Sequence, residues 1–130
     1  MKEAEVLSAV HAYLASQPDV YVRRNNTGRL RDDRGTWVVF GLGVGGPDLV
    51  GSLRTPWGAQ AIGIEVKSAA GRVRPEQLSW HAGAEAMGWR CCIVRSVDDA
   101  AKFVEDLRVK NAAGNQTGGA PPKAKRRQRE

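Results

Sequence analysis

Apolar residues recur along the chain with two spacings, one close to four residues and one of two residues. Val6, Leu7, Val10 and Leu14 share one side of a helix. Short runs rich in valine and isoleucine, such as "TWVVF" and "AIGIEV", are typical of strands. The pattern predicts an α/β protein with helices at 3–15, 75–87 and 97–110, and with strands at 20–24, 36–40, 48–53, 60–67 and 90–94.

Two hairpins are expected from the turn residues between these strands. The segment "NNTGRLRDDRG" separates the strands at 20–24 and 36–40, and its Asn, Gly and Asp residues are typical of turns. We therefore expect those two strands to form one long hairpin. The strands at 48–53 and 60–67 are expected to form a second hairpin, whose turn is centred on Pro56 and Trp57.

The second hairpin predicts that two acidic residues lie opposite each other. A turn centred between residues 56 and 57 pairs residues whose numbers sum to 113, so Asp48 faces Glu65. Cross-strand Cβ atoms are about 5 Å apart, and like charges at that distance repel by roughly 3 kcal/mol at an effective dielectric near 20. Lys67 falls on the same strand face as Glu65, while Ile62, Ile64 and Val66 point the other way into the core.

Two carboxylates and an amine on one polar face are suited to binding a divalent cation. Mg²⁺ and Mn²⁺ prefer oxygen ligands and keep several waters, and they can polarise a phosphodiester and activate water. Asp48 and Glu65 are the expected ligands, and the Lys67 ammonium would stabilise charge in the transition state. The alternative is a Glu–Lys pair exposed on an edge strand, with no chemical role.

Composition limits the classes of protein that the chain can represent. Its 130 residues, 42% hydrophobic and 26% charged, suit one globular domain. No apolar run approaches the roughly 20 residues of a membrane span, and the start, "MKEAEVLSAV", lacks the pattern of a secretory signal. We therefore expect a cytoplasmic protein that does not bind membranes, of viral or bacterial origin.

Positive charge is concentrated at the end of the chain. The net charge is +6, and the segment from residue 111 onward carries five basic residues and one acid, or +4. That segment, "NAAGNQTGGAPPKAKRRQRE", has the composition of a disordered tail, so we expect a folded domain at 1–110 and a tail at 111–130. The tail either makes the protein soluble or binds DNA phosphates. The basic residues expected to bind DNA are Lys123, Lys125, Arg126 and Arg127.

Three segments, "GGPDLVG", "IEVKSAAGRVRPEQLSW" and "GWRCCIVRSVDDA", carry a resemblance to a known family. They resemble the successive motifs of the virus-type replication and repair nuclease (VRR-NUC) domain, a branch of the PD-(D/E)xK nuclease superfamily. The resemblance extends from about residue 3 to residue 107. It implies a restriction-endonuclease-like core, in which helices flank a mixed sheet, and metal-dependent cleavage of DNA, often branched DNA.

The resemblance also implies roles for individual residues. Asp48, after Pro47, matches the motif acid, Glu65 and Lys67 match the E-x-K pair, and Gln77 matches the glutamine of the following helix. Asp48, Glu65, Lys67 and Gln77 are therefore the expected catalytic residues.

Two further metal ligands are implied by the resemblance. One is the backbone carbonyl of Val66, and the other is a glutamate on the first helix. Glu3 lies at the edge of the apolar face of that helix, whereas Glu5 points further around it, so we expect Glu3 to be the ligand. The alternative is that Glu3 only interacts favourably with the helix dipole.

Polar residues near the first predicted turn are candidates for contacts with the DNA backbone. A solvated loop is the equally good alternative for these residues. His81 shares a helix face with Gln77, where it would either reach a phosphate or lie on the surface. The glycines of "GLGVGG" are interpreted as room for close approach of DNA. The candidate DNA contacts are Arg23, Arg24, Asn25, Asn26 and Arg29.

These expectations combine into one predicted function. The protein is expected to be a Mg²⁺-dependent (or Mn²⁺-dependent), structure-selective DNA endonuclease acting on branched DNA such as Holliday junctions. Because one acidic cluster attacks one strand at a time, a two-fold homodimer is the expected partner arrangement. The alternative is a non-catalytic DNA-binding module of the same fold.

Overall fold

A computed structural model describes residues 1–112. Three helices and six strands occur in that range. The helices are α1 (Glu3–Ala15), α2 (Pro75–Ala86) and α3 (Val97–Ala112), and the strands are β1 (Val20–Arg24), β2 (Gly28–Arg31), β3 (Trp37–Phe40), β4 (Leu49–Thr55), β5 (Gly58–Val66) and β6 (Arg90–Val94). The predicted mixture of helices and strands is confirmed, although α3 extends two residues beyond the predicted end of the folded domain.

Four of the strands form a mixed sheet in the order β1-β4-β5-β6. The β1–β4 and β4–β5 pairs are antiparallel, and β5–β6 is parallel. Because successive side chains of a strand alternate between faces, Ile62, Ile64 and Val66 share one face of the sheet. All three are fully buried there. Glu65 therefore points to the opposite face.

Helices cover both faces of this sheet. Helices α1 and α3 pack against each other and against the apolar face, where Val10, Leu14 and Val104 are fully buried. Arg108 of α3 donates two hydrogen bonds to Asp19, at 2.7 and 3.0 Å, and so joins α3 to the turn between α1 and β1. Helix α2 lies on the face of Glu65. In residues 1–112, no helix is long and apolar enough to cross a membrane.

The long hairpin expected between 20–24 and 36–40 is wrong. Strand β1 pairs with β4, while β3 pairs with β2, which was expected to be a turn. The segment "NNTGRLRDDRG" holds two turns rather than one, and the second is closed by Asp32, whose Oδ1 accepts the N–H groups of Arg34 and Thr36. The strand between them was missed because four residues with one leucine carry little apolar pattern.

The β2–β3 hairpin stands apart from the four-stranded sheet and exposes both of its faces. One face carries Leu30, Val38 and Phe40, which are 64%, 47% and 41% exposed. The other carries Trp37 and Val39 together with arginine residues of β2. A two-stranded hairpin is only marginally stable by itself, so both faces are candidates for contact with another molecule.

The second predicted hairpin is confirmed, including its register. Thr55 pairs with Gly58, which leaves Pro56 and Trp57 as the two turn residues. Leu49 pairs with Ile64, so that paired residue numbers sum to 113 as expected. The hairpin ladder ends at Leu49, so Asp48 lies just before β4, next to the last pair.

Candidate active site

Glu65 and Lys67 lie in the interior of the protein. Strand β5 is central, since it pairs with β4 on one side and β6 on the other. Glu65 is 3% exposed and Lys67 is 6% exposed. The alternative of a Glu–Lys pair exposed on an edge strand is therefore wrong, and both charged groups need compensation from the interactions around them.

The two oxygens of the Glu65 carboxylate have different surroundings. Oε2 accepts a hydrogen bond from Nε2 of Gln77 at 2.8 Å and lies 3.3 Å from Nζ of Lys67. Oε1 is buried and has no hydrogen-bond partner within residues 1–112. The carboxylate is thus held in one orientation by Oε2, and nothing in the described residues compensates the burial of Oε1 with a hydrogen bond.

Gln77 is oriented at both ends of its amide. While Nε2 donates to Glu65, Oε1 accepts the backbone N–H of Arg74 at 2.9 Å, at the start of α2. Turning the amide over would lose both bonds, because donor and acceptor would be exchanged. Pro75 at the first helical position helps to begin the helix here. The sequence-predicted Gln77 is therefore in contact with Glu65.

Asp48 lies beside the end of β5 and binds its backbone. Its Oδ2 accepts the N–H of Val66 at 2.8 Å. The N–H and C=O of one strand residue point to the same side of the strand, so the carbonyl of Val66 is directed toward Asp48, beyond the last residue pair of β4 and β5. Asp48, Glu65 and the Val66 carbonyl therefore meet at one end of the sheet.

The surroundings of Glu65 favour its protonated form. Burial raises the pKa of Glu65 from about 4.5 to about 7, and the negative charges of Asp48 and Glu3 act in the same direction. The hydrogen bond and positive charge of Lys67 oppose the increase in pKa but do not cancel it. A carboxylate with such a pKa is destabilised in its charged form, and a bound cation would remove much of that cost.

The glycine-rich segment before Asp48 is held by contacts that the sequence did not predict. Nδ2 of Asn25 donates to the carbonyl of Pro47 at 2.9 Å, and its Oδ1 accepts the N–H of Leu42 at 3.1 Å. Nε1 of Trp80 donates to the carbonyl of Leu42 at 3.0 Å. The amide of Asn25 is thus engaged with the protein itself, which replaces its predicted role as a DNA contact.

The interpretation of the glycines also needs correction at Gly45. Its φ is +91°, and a Cβ added there would collide with the carbonyl group of Glu76 in the first turn of α2. Gly45 is therefore needed for the packing of the segment against α2, whereas the prediction was close approach of DNA. No sequence pattern identifies this contact, because the two residues are about thirty positions apart.

The two glutamates of α1 have different roles. Glu5 accepts the backbone N–H of Lys2 at 2.9 Å, which occupies its carboxylate at the start of the helix. Glu3 is exposed, and its charge contributes to the raised pKa of Glu65. Glu3 is therefore close enough to influence Glu65 through its charge but forms no hydrogen bond with it within residues 1–112, and its role as a metal ligand stays a prediction.

The described residues suit a cation that keeps much of its water. They contain no group of three or more His, Cys, Asp and Glu side chains arranged to hold a metal ion. The oxygens that do converge are two carboxylates and one carbonyl, and Oε1 of Glu65 is buried without a partner. Mg²⁺ is commonly bound by one or two carboxylates, several waters and substrate phosphate oxygens, so this set of oxygens fits it.

The predicted DNA contacts lie around this end of the sheet. Arg23 is paired with Val50, which places it on the sheet face of Glu65, while Arg24 is on the opposite face. Arg24 is within 3.3 Å of Asn26, and Arg29 lies on the projecting β2–β3 hairpin. The basic residues predicted in the tail, Lys123, Lys125, Arg126 and Arg127, lie outside the described residues.

His81 is neither on the surface nor directed toward solvent. It is a buried residue of α2, burial lowers its pKa, and its Nε2 has no hydrogen-bond partner within residues 1–112. Cys91 and Cys92 of β6 are both free thiols. None of these three side chains contacts the carboxylates of the site.

No protein-family model matches this chain, and no curated protein matches it.

Proposed function

We propose that the protein is a divalent-metal-dependent endonuclease that hydrolyses phosphodiester bonds of DNA. The observation that carries this proposal is the environment of Glu65, a buried carboxylate whose Oε2 is held by Gln77 and Lys67 while Oε1 is unpartnered within residues 1–112. Asp48 is beside it, and the mixed sheet flanked by helices is compatible with the restriction-endonuclease-like core that the resemblance implies.

Each residue has a distinct role in the proposed reaction. Asp48, Glu65 and the Val66 carbonyl are the groups that would hold Mg²⁺ or Mn²⁺, and Glu3 would support the ion through its charge or through water. The ion, when bound, polarises the phosphodiester and lowers the pKa of water. Nζ of Lys67 lies within the buried site, 3.3 Å from Oε2 of Glu65, where it orients the attacking water and stabilises the charge that develops on the phosphate.

Gln77 has a positioning role. It donates a hydrogen bond to Glu65, and by holding Oε2 it leaves Oε1 as the oxygen that would meet a cation. Partners of this kind, which orient a metal ligand without touching the metal, commonly change metal affinity or activity by about 10- to 100-fold when removed.

The proposed substrate is branched DNA, cut by a homodimer. One site attacks one strand, and a two-fold dimer would present two sites to two strands related by the same symmetry, as the opposed strands of a four-way junction are. The alternative is a non-catalytic DNA-binding module. That function does not account for the burial of Oε1 of Glu65 without a hydrogen-bond partner in residues 1–112, beside the buried Lys67.

A cleavage assay with Mg²⁺ and with EDTA tests the proposal. Asp48→Ala and Glu65→Ala should abolish cleavage and leave DNA binding largely intact, since they remove metal ligands rather than phosphate contacts. Glu65→Gln gives the same test with less change of volume in the core. Asp106→Asn is the matched control, because Asp106 is an exposed acid of α3 in a surface ion pair. Metal-dependent cleavage by either Asp48 or Glu65 variants would contradict the proposal.

A further inference from the structure

A groove of about 310 Å³ lies between the start of α2, which carries Gln77, and the β2–β3 hairpin. Gln77, which holds Glu65, lines one end of it, and Arg29 and Val39 of the hairpin line the other. Gly45 and Gly46 contribute only backbone to its wall. The groove therefore adjoins the site through Gln77, and Val44 is the residue of the glycine-rich segment that contributes a side chain to its wall.

Two arginines flank this groove without a carboxylate partner. Arg29 comes from β2 and Arg74 from the residue before α2, and neither forms a salt bridge with any residue in the range 1–112. Glu76 is the acidic residue in the lining, and its charge offsets part of theirs. Because the lining has two guanidinium groups and one carboxylate, its net charge is positive and attracts anions such as phosphates.

Beside the groove, the hairpin carries a cluster of Arg29, Arg31 and Trp37, which we call the Trp37 cluster. The guanidinium groups of Arg29 and Arg31 each lie with Cζ 4.4 Å from the centre of the Trp37 ring, and Trp37 is 48% exposed. Arg31 is further held by a hydrogen bond to the carbonyl of Gly35 at 3.0 Å. Stacking on the indole restrains both arginines, so less conformational entropy is lost when they bind a phosphate.

We propose that this groove and the Trp37 cluster bind a single-stranded nucleic-acid segment adjacent to the phosphate that is cut. Proteins that bind single strands combine a positively charged groove for the backbone with aromatic or guanidinium surfaces on which bases stack. A volume of about 310 Å³ is at the lower end of the range for a small-molecule site, which is room for about one nucleotide and not for a duplex.

This inference rests on the proposed function only for the location of the cut, since binding of the strand does not require cleavage. It explains a preference for branched DNA, because a junction or flap exposes unpaired nucleotides that linear duplex lacks. It also assigns nucleic-acid binding to the hairpin face that carries Trp37, which is opposite the face of Leu30, Val38 and Phe40.

The test is a binding measurement with the full chain, using a fluorescein-labelled oligothymidylate of about ten nucleotides and a linear duplex, in EDTA so that no cleavage occurs. Anisotropy is measured from low to moderate salt. The double variant Arg29→Gln/Arg74→Gln should weaken binding of the single strand at least tenfold. It should also reduce the slope of log affinity against log salt by about 0.7 for each phosphate that the variant no longer neutralises.

The matched control is Arg54→Gln, which removes the same kind of charge. Arg54 is an exposed arginine of β4, near the turn at Pro56 and Trp57 and so at the opposite end of the sheet. This single substitution should change the affinity for the single strand by less than twofold. Trp37→Ala should weaken single-strand binding about tenfold, while Trp37→Phe should retain most of it because a phenyl ring still stacks.

Four results distinguish a failure of this inference from a failure of the proposed function. Equal losses from the groove variant and the Arg54 control would overturn the inference, as would an unchanged salt slope. Normal cleavage of junctions by the groove variant would overturn it while leaving the proposed function intact. Groove-dependent binding by a wild-type protein that cuts no DNA with Mg²⁺ or Mn²⁺ would support the inference and reject the endonuclease proposal.

Discussion

Nε2 of Gln77 donates a hydrogen bond to Oε2 of Glu65 at 2.8 Å, while Oε1 of the same carboxylate has no partner within residues 1–112. This relationship connects the start of α2 to the centre of the sheet. It leaves Oε1 as the oxygen of Glu65 without a hydrogen bond. It also makes the orientation of Glu65 depend on Gln77, which is not itself a proposed ligand of the cation.

Gln77→Ala should lower the affinity for Mn²⁺ or Mg²⁺ by about 10- to 100-fold, because Glu65 loses the bond that orients it. Cleavage should recover substantially when the metal concentration is raised. Metal titrations followed by calorimetry and by activity measure both effects. The control is Gln60→Ala at the far end of β5, whose side chain binds the carbonyl of Gly88. Equal metal affinity in the Gln77 variant and the wild type would reject the positioning role.

Without a divalent cation, the stability of the protein should decrease as pH rises from about 4.5 to about 7. The folded protein binds a proton at Glu65 more tightly than the unfolded chain does, since burial raises the pKa of Glu65 to about 7. The free energy of unfolding therefore falls over that interval and levels off above it. A difference of about 2.5 pKa units corresponds to a change on the order of 3 kcal/mol.

Urea unfolding at several pH values, compared between wild type and Glu65→Gln, measures this effect. The variant lacks the titrating group, so the difference between the two proteins should grow in its favour with rising pH. Added Mg²⁺ should reduce the loss of wild-type stability at neutral pH because the ion compensates the charge. A pH-independent difference between the two proteins would show that Glu65 does not titrate in this range.

Asn25→Ala should reduce the free energy of unfolding by about 1–3 kcal/mol, because it leaves the carbonyl of Pro47 and the N–H of Leu42 without their partner. Activity should fall as well, since the same contacts position the segment that leads into Asp48. Asn26→Ala is the matched control for stability, because Asn26 is exposed and should change it by less than about 0.5 kcal/mol. Similar stability of the two variants in urea unfolding would contradict the role assigned to Asn25.

The protein should be a homodimer that cuts four-way junctions at paired, symmetric positions in preference to linear duplex. We expect a second copy of the chain to cover the hairpin face of Leu30, Val38 and Phe40, because such an apolar face is otherwise exposed on a marginally stable two-stranded hairpin. Val38→Glu should then shift the protein toward monomer. Light scattering gives the mass, and a monomeric wild type that cuts linear and junction DNA equally would refute the prediction.

The sequence alone determined the β4–β5 hairpin and the face that carries Glu65 and Lys67. A two-residue turn fixes which residues are paired, and the alternation of side chains in a strand then decides which of them share a face. Both rules depend only on local spacing. The turn at Pro56 and Trp57 and the pairing of Leu49 with Ile64 therefore follow from the order of residues in this one segment.

Only the tertiary structure decided which strand pairs with β1 and what holds the site together. Val20 and Val22 of β1 are apolar on one face, and that pattern is compatible with β3 or β4 as a partner, so nearness in sequence gave the wrong answer. The contact of Asn25 with Pro47 and that of Gln77 with Glu65 join segments far apart in the chain. Such contacts arise from packing, which local spacing does not encode, and the unpartnered Oε1 of Glu65 follows from the same packing.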